Sequence, residues 1–278
     1  MCASRSRDGA DQRLRRYSVK KRLDVLLVER GLAESRSQAQ ALVLAGLVRG
    51  HDKPGDQVDE AAELELARPP RFVSRGGEKL ANALERLTID PAGKDALDVG
   101  ASTGGFTDAL LQAGASRVIA LDVGYGQLHP RLRADPRVVV LERVNARELS
   151  ALPFPPELIT CDVSFISVLT ALPPALRLSK PGWEAVVLVK PQFEAGRAQA
   201  PKGVVRDPDV HRAVLHRVAE ALPGLGARLV GVVDSGLPGP KGNREFFVHL
   251  IDSKEPAQRD DVDRWIDDAV GAPAASGH

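Results

Sequence analysis

The 278-residue chain is 43% hydrophobic and 27% charged with a net charge of +1, the proportions of an ordinary globular protein rather than a fibrous or low-complexity one. No apolar run approaches the roughly 18 residues that span a bilayer, and the polar N-terminus lacks the apolar stretch of a secretory signal. Two cysteines, Cys2 and Cys161, provide neither a disulfide framework nor metal-ligand spacing, so a reduced, cytoplasmic protein without a metal site is expected.

Charge is uneven along the chain. Residues 1–53 carry 12 Lys and Arg against 6 Asp and Glu, whereas the remainder carries 26 against 31. A basic head on a slightly acidic body suits contact with a polyanion, and charge alone fits a solubilising tail equally well.

Residues 1–20, poor in apolar side chains, read as a disordered arm. Arg22–Arg30 follows with Leu23, Leu26 and Leu27 at helical spacing and Gly31 as a stop. Ser35 with Gln38 makes a capping box for a second helix whose apolar face is Ala39, Leu42 and Val43, and Gly46 ends it. Leu47-Val48 and Leu64-Glu65-Leu66 are predicted as short strands, with a type II turn at Lys53-Pro54-Gly55-Asp56 between them. The segment 21–66 is thus a small α+β domain, separated by a Pro-rich linker, 67–73, from the next.

Over 74–252 short β-rich runs alternate with helix-length segments. The predicted strands are Ala96–Val99, Val118–Asp122, Val138–Leu141, Leu158–Asp162, Ala185–Val189, Leu229–Asp234 and Phe246–Leu250. Phe106–Ala113 and Asp209–Ala221 are helical. This is the signature of an α/β fold, a mostly parallel sheet with helices on both faces. The last two strands enclose only a Gly/Pro-rich loop and should pair antiparallel. Residues 253–278 supply a final helix and a frayed tail.

Asp98-Val-Gly100-Ala-Ser102-Thr-Gly104-Gly105-Phe106 lies where the first strand meets its helix, at the edge where open α/β sheets bind ligands. The spacing is neither a dinucleotide fingerprint nor a P-loop. It suits S-adenosylmethionine, with Asp98 acting on the methionine portion, directly or through water. Asp122, ending the next strand, suits the two ribose hydroxyls. Asn145 either meets the adenine edge or caps a turn.

Four further residues stand where a surface role is strained. Lys79 opens a helix, Asp162 and Lys190 end apolar strands, and Glu245 opens the last strand. Strand ends at the ligand edge converge, so two amines and two carboxylates can meet there. A lysine whose ammonium form is disfavoured by a second cation and by burial can take the proton of a ribose 2′-hydroxyl. Singly, each also fits a structural ion pair. His211 and His216 read as helix surface, and Trp183 and Trp265 as packing residues. Arg22, Arg36, Arg49 and Lys53 are the candidate RNA contacts, and such charges also fit a solvated face.

Together these segments resemble the TlyA family of haemolysin-like rRNA methyltransferases, whose catalytic domain is similar to FtsJ/RrmJ-type 2′-O-methyltransferases. The resemblance rests on Arg-Leu-Asp-Val-Leu-Leu-Val-Glu-Arg-Gly, Phe-Val-Ser-Arg-Gly-Gly-Glu-Lys-Leu, the glycine-rich loop, Cys-Asp-Val-Ser-Phe-Ile-Ser, Val-Lys-Pro-Gln-Phe-Glu and Gly-Asn-Arg-Glu-Phe, from about Lys21 to Leu250. It implies an S4-type RNA-binding domain near 22–66, a Rossmann-like methyltransferase domain and S-adenosylmethionine as cofactor. It further implies a Lys-Asp-Lys-Glu tetrad at Lys79, Asp162, Lys190 and Glu245, and cytidine 2′-hydroxyls of ribosomal RNA, in the large subunit and for some members also the small one, as substrate, with ribosomal RNA or ribosomal subunits as partner. His129-Pro130 departs from the family pattern beside the cofactor loop. A haemolysin reading lacks any membrane-length segment or cationic amphipathic helix. A non-catalytic RNA-binding factor should have lost a tetrad lysine.

Overall fold

The computed structural model describes residues 19–44, 46–67, 70–196 and 198–272. Most of the predicted arm, and the tail from 273, lie outside these residues. The chain divides into two compact units, 1–70 and 71–278.

The first unit runs β1 (Lys20–Arg22), α1 (Leu23–Glu29), α2 (Arg36–Leu44) and β2 (Gln57–Asp59). Leu23, Leu26 and Leu27 of α1 pack against Ala39 and Val43 of α2 and Val58 of β2. Each buried Leu or Val contributes roughly 1.5–3 kcal/mol, so this small core leaves little margin. Ser35 Oγ accepts from Gln38 N at 3.2 Å, as a capping box requires, but Gln38 Oε1 reaches back to Glu34 N rather than to Ser35.

Three expectations change here. The sheet is antiparallel β1–β2, with Lys20 opposite Asp59, so Lys20 belongs to a strand rather than to the arm. Leu47-Val48 and Leu64–Leu66 contribute only an isolated bridge, Val48 to Leu66. The Lys53–Asp56 turn closes with Asp56 N donating to Lys53 O at 3.1 Å, yet Gly55 stays outside the left-handed region, so it is not type II. The flat guanidinium of Arg22 lies 3.5 Å from where a Gly55 side chain would begin.

The second unit runs α3 (Arg75–Arg86), β3 (Asp95–Val99), α4 (Gly105–Gln112), β4 (Arg117–Asp122), α5 (Pro130–Arg133), β5 (Val138–Glu142), β6 (Leu158–Cys161), α6 (Val168–Arg177), β7 (Glu184–Val189), α7 (Pro191–Glu194), α8 (Pro208–Ala221), β8 (Ala227–Asp234), β9 (Phe246–Asp252) and α9 (Arg259–Gly271). The sheet order is β5-β4-β3-β6-β7-β9-β8, and β9 alone runs against the rest. The mostly parallel α/β sheet with an antiparallel last strand is therefore as expected, with β9 inserted between β7 and β8.

Alternation along the strands splits the core. Leu97, Val99, Ile119 and Leu121 face α6, α8 and α9, whereas Ala96, Val118 and Ala120 face α3 and α4. Phe72, read as linker, is 3% exposed and packs into the α3–α4 face. His211 is also corrected. It is 1% exposed, against the Phe246 ring at 5.4 Å, because its helix turns that face onto the sheet.

The chain leaves β3 for β4 and β5, then returns to β6 on the other side of β3. That reversal opens a crevice at the carboxyl ends of β3 and β6, where ligands of such sheets bind. Because β9 is antiparallel, its first residue enters at the same edge, with Phe246 opposite Val189. Lys190 and Glu245 are thereby neighbours.

Candidate active site

At this edge a cleft of about 300 Å³ is lined by backbone of the Gly100–Phe106 loop on one side and by Lys79, Asp162, Lys190 and Glu245 on the other. The four side chains form two ion pairs. Lys79 Nζ donates to Glu245 Oε2 at 2.6 Å, and Lys190 Nζ contacts Asp162 Oδ1. Lys190 also donates to Ser164 Oγ at 3.0 Å. Burial raises the Asp162 carboxyl pKa above its ordinary value, and the Lys190 ammonium works against that rise.

Glu245 is fully buried, and its surroundings are built to hold it. Its Oε1 accepts from Gln192 Nε2 at 3.2 Å. A side chain on Gly239 would begin 2.1 Å from the same oxygen, so only glycine fits there. Gln192, Ser164 and Gly239 went unnoticed in the sequence. Gln192 and Ser164 lie inside quoted motifs, but a chemically neutral residue type gave no reason to single them out.

The loop after β3 is kept tight by backbone contact. Gly100 has φ +86°, and a Cβ there would lie 2.3 Å from the Asp162 carbonyl oxygen. Gly105 abuts Ser74 Oγ, and Gly104 is covered by Leu128 and Leu132. His129 Nδ1 accepts from Arg131 N at 3.2 Å and caps α5, with Pro130 in the first turn where a proline fits. His129 N donates to Thr103 O at 3.1 Å, so the unusual His-Pro pair braces the loop.

The expected cofactor residues are not equally available. Asp98 is fully buried, its oxygens accepting from Thr107 Oγ1 at 2.7 Å and Thr160 Oγ1 at 3.1 Å. It lies beneath the loop and is not among the residues that line the cleft. Burial pushes its pKa up to about 7. Asp122 accepts from Ser102 N at 2.8 Å and Gly124 N at 2.6 Å, tying two loops together at the edge. Beside it Val123 and Tyr125 are 72% and 68% exposed, an open apolar strip. Asn145 takes the capping alternative: Oδ1 accepts from Arg147 N, and Nδ2 donates to Glu148.

In the first unit Arg22 and Arg36 converge on Asp24, which is fully buried. Arg22 donates at 3.0 and 2.9 Å and Arg36 at 3.0 Å, and Gln40 adds a bond of 2.9 Å. The Arg22 guanidinium holds the Asp24 carboxyl far below the usual carboxylate range. Both arginines therefore have a structural partner, yet their side chains stay 44% and 56% exposed. Arg49 pairs with Glu65 at 3.4 Å, and Lys53 is exposed without a partner among the described residues.

Among the described residues no helix is long and apolar enough to cross a membrane, and no group of three or more His, Cys, Asp or Glu is placed to hold a metal.

A model of the FtsJ-like methyltransferase family matches residues 72–251, and an S4 domain model matches residues 21–49. The 16S/23S rRNA (cytidine-2′-O)-methyltransferase TlyA of Mycobacterium tuberculosis is 48% identical over 238 residues, 82% of this chain and 89% of that protein. Hemolysin A of Brachyspira hyodysenteriae is 39% identical over 83% of this chain and 99% of its own length. A solved structure named as a hemolysin, from Streptococcus thermophilus, superposes with a TM-score of 0.69 at 40% identity, covering 91% of this chain and 96% of that one. With an S4 domain joined to an FtsJ-like catalytic domain, this chain belongs to the TlyA family of methyltransferases.

Proposed function

We propose that the protein transfers a methyl group from S-adenosylmethionine to the 2′-hydroxyl of a cytidine in ribosomal RNA, in the cytoplasm. The observation that carries this reading is the meeting of two Lys–carboxylate pairs at the mouth of a glycine-walled cleft. The relatives named as rRNA methyltransferases supply the substrate class.

The residues present fit the cofactor. The glycines let the Gly100–Gly105 loop pack directly against Asp162, Ser74, Leu128 and Leu132, which fixes the loop at the wall of an open cleft, and the Val123–Tyr125 strip beside Asp122 offers apolar cover to a nucleoside. The loop backbone would hold the amino-acid half, and Asp122 the ribose, using lone pairs left free by its two amide contacts. When bound, S-adenosylmethionine supplies a methyl group already activated by its sulfonium.

The chain's own task is to hold the ribose hydroxyl and take its proton. Asp162 and Lys190 form a coupled ion pair, in which the Asp162 carboxylate, its pKa raised by burial, accepts the 2′-hydroxyl proton while the Lys190 ammonium holds it in place. Lys79, held rigid by Glu245 and Gln192, orients the hydroxyl oxygen and favours its developing negative charge. Fixing both groups at strand ends contributes alignment. The Phe165 ring, 90% exposed in the loop after Asp162, is a face on which an unpaired base can stack. Arg22, Arg36, Arg49 and Lys53 of the S4 unit would meet backbone phosphates.

The test is transfer of labelled methyl from S-adenosylmethionine to purified ribosomal subunits and to naked rRNA, followed by nucleoside digestion. Label in 2′-O-methylcytidine is expected. No label in any RNA, with the cofactor bound, would overturn the reading.

A further inference from the structure

The tripeptide Pro-Lys-Gly occurs at Pro201–Gly203 and again at Pro240–Gly242. Both copies fold alike. Each is a turn closed by its glycine, Gly203 N to Ala200 O at 2.9 Å and Gly242 N to Gly239 O at 3.1 Å. In each the lysine sits in the left-handed region, Lys202 at φ +56°, ψ +21° and Lys241 at φ +57°, ψ +19°. A turn with proline second and a left-handed third residue favours glycine at that third position. Here the glycine comes one residue later, and a lysine occupies the strained place twice. Strain of this kind persists where the surroundings enforce it, and it gathers at functional sites.

The two turns are bound to each other across 39 residues. Lys241 Nζ donates to Lys202 O at 3.2 Å. Asn243 clasps both: its Oδ1 accepts from Val205 N, its Nδ2 donates to Gly203 O, and its carbonyl accepts from Gly239 N. The clasp adjoins the reacting groups, since Pro238 and Gly239 line the cleft and Gly239 abuts Glu245. Arg75, another lining residue, donates to Pro238 O at 2.8 Å.

Lys202, Lys241 and Arg75 are exposed and have no carboxylate partner among the described residues. In a body with more acidic than basic residues, cations left unneutralised at one rim await an external anion. We propose that the twin Pro-Lys-Gly turns are an RNA-phosphate clamp at the cleft rim, Lys202 and Lys241 binding backbone phosphates that flank the nucleotide entering the cleft. The inference rests on the RNA-substrate reading above. It adds a backbone contact made by the catalytic unit itself.

The experiment uses the full chain with a naked rRNA transcript and labelled S-adenosylmethionine, comparing the unaltered protein with Lys202→Gly/Lys241→Gly and Lys202→Arg/Lys241→Arg. Glycine removes the amines, and the relief of two left-handed backbones offsets the lost Lys241 Nζ–Lys202 O bond, so thermal stability should stay near that of the unaltered protein. The glycine variant should raise KM about tenfold and flatten the slope of log KM against log salt by about 1.4, near 0.7 per phosphate contact on a single strand. The arginine variant should restore both. An unchanged KM and salt slope, with methyl transfer intact, overturns the clamp and leaves the proposed reaction standing. A loss seen only on assembled subunits overturns it in favour of a protein contact. If the unaltered protein labels no RNA, the functional reading fails first and the clamp with it.

Discussion

Lys79 Nζ lies 2.6 Å from Oε2 of Glu245, a carboxylate 166 residues later in the chain that has no exposed surface. A buried pair is costly to break from one side, because the remaining charge has no water to turn to. Glu245→Gln should therefore cost about 3–5 kcal/mol of stability, measured by denaturant unfolding. The double variant Lys79→Met/Glu245→Leu should regain most of that loss while methyl transfer stays abolished. Recovery of both stability and activity would show the pair to be structural only.

Lys190→Ala should lower kcat by about 10²–10⁴-fold, the range for a lost acid–base group, with cofactor affinity by calorimetry nearly unchanged. Burial raises the Asp162 pKa and the Lys190 charge offsets part of that rise. Without the ammonium, the carboxyl needs a higher pH to ionise. The acid limb of the residual pH–rate profile should consequently move upward. An unmoved limb would separate Asp162 from the proton transfer.

Gly100 has neither the dihedral freedom nor the space to become alanine, since the added Cβ would meet a carbonyl oxygen at 2.3 Å. Gly100→Ala should destabilise the fold by more than about 1 kcal/mol and weaken S-adenosylmethionine binding tenfold or more, an effect of about 1.4 kcal/mol. Calorimetric titration checks the second part.

Asp98 carries a folded-state pKa near 7, raised by burial, against an ordinary value of 3.8. Between these values the folded protein keeps a proton that the unfolded chain has released. Stability from this group is thus full below about pH 4, falls as pH rises and levels off above about 7. Asp98→Asn, which cannot ionise, should become the more stable protein across that window, by up to about 4 kcal/mol at its upper end. Parallel unfolding curves at pH 5 and pH 8 measure the divergence.

Asp24 behaves in the opposite sense. Its pKa is depressed, first by Arg22, so its contribution is present above the ordinary carboxyl range and is lost as pH falls. Asp24→Asn should destabilise the S4 unit by about 1.5–3 kcal/mol through weakened charged hydrogen bonds. Hydrogen exchange confined to α1 and α2 would report it.

The sequence by itself determined the elements and their edge of action. Runs such as Ala185–Val189 and Val118–Leu121 are apolar without interruption because they are covered on both faces, and that composition reads as a buried parallel strand. The polar residues Asp162 and Lys190 ending two of these runs mark where the sheet meets its ligand, and Glu245 opening the last strand and Lys79 in the helix before the first complete the set. Only the tertiary structure decided which carboxylate each amine takes. The pairing Lys79–Glu245 and Lys190–Asp162 follows from β9 entering the sheet antiparallel beside β7, a choice of strand order that local pattern does not encode. The same limit explains Asp98, whose position at a strand end looked like that of Asp122. Alternation along β3 turned it onto the α4 face, where Thr107 and Thr160 donate to its two oxygens. It also explains Arg22 and Arg36, whose shared partner Asp24 is buried beneath them in three dimensions. Periodicity reports which residues are covered, because covering obeys local geometry. Partners are set by long-range packing, which only the assembled fold specifies.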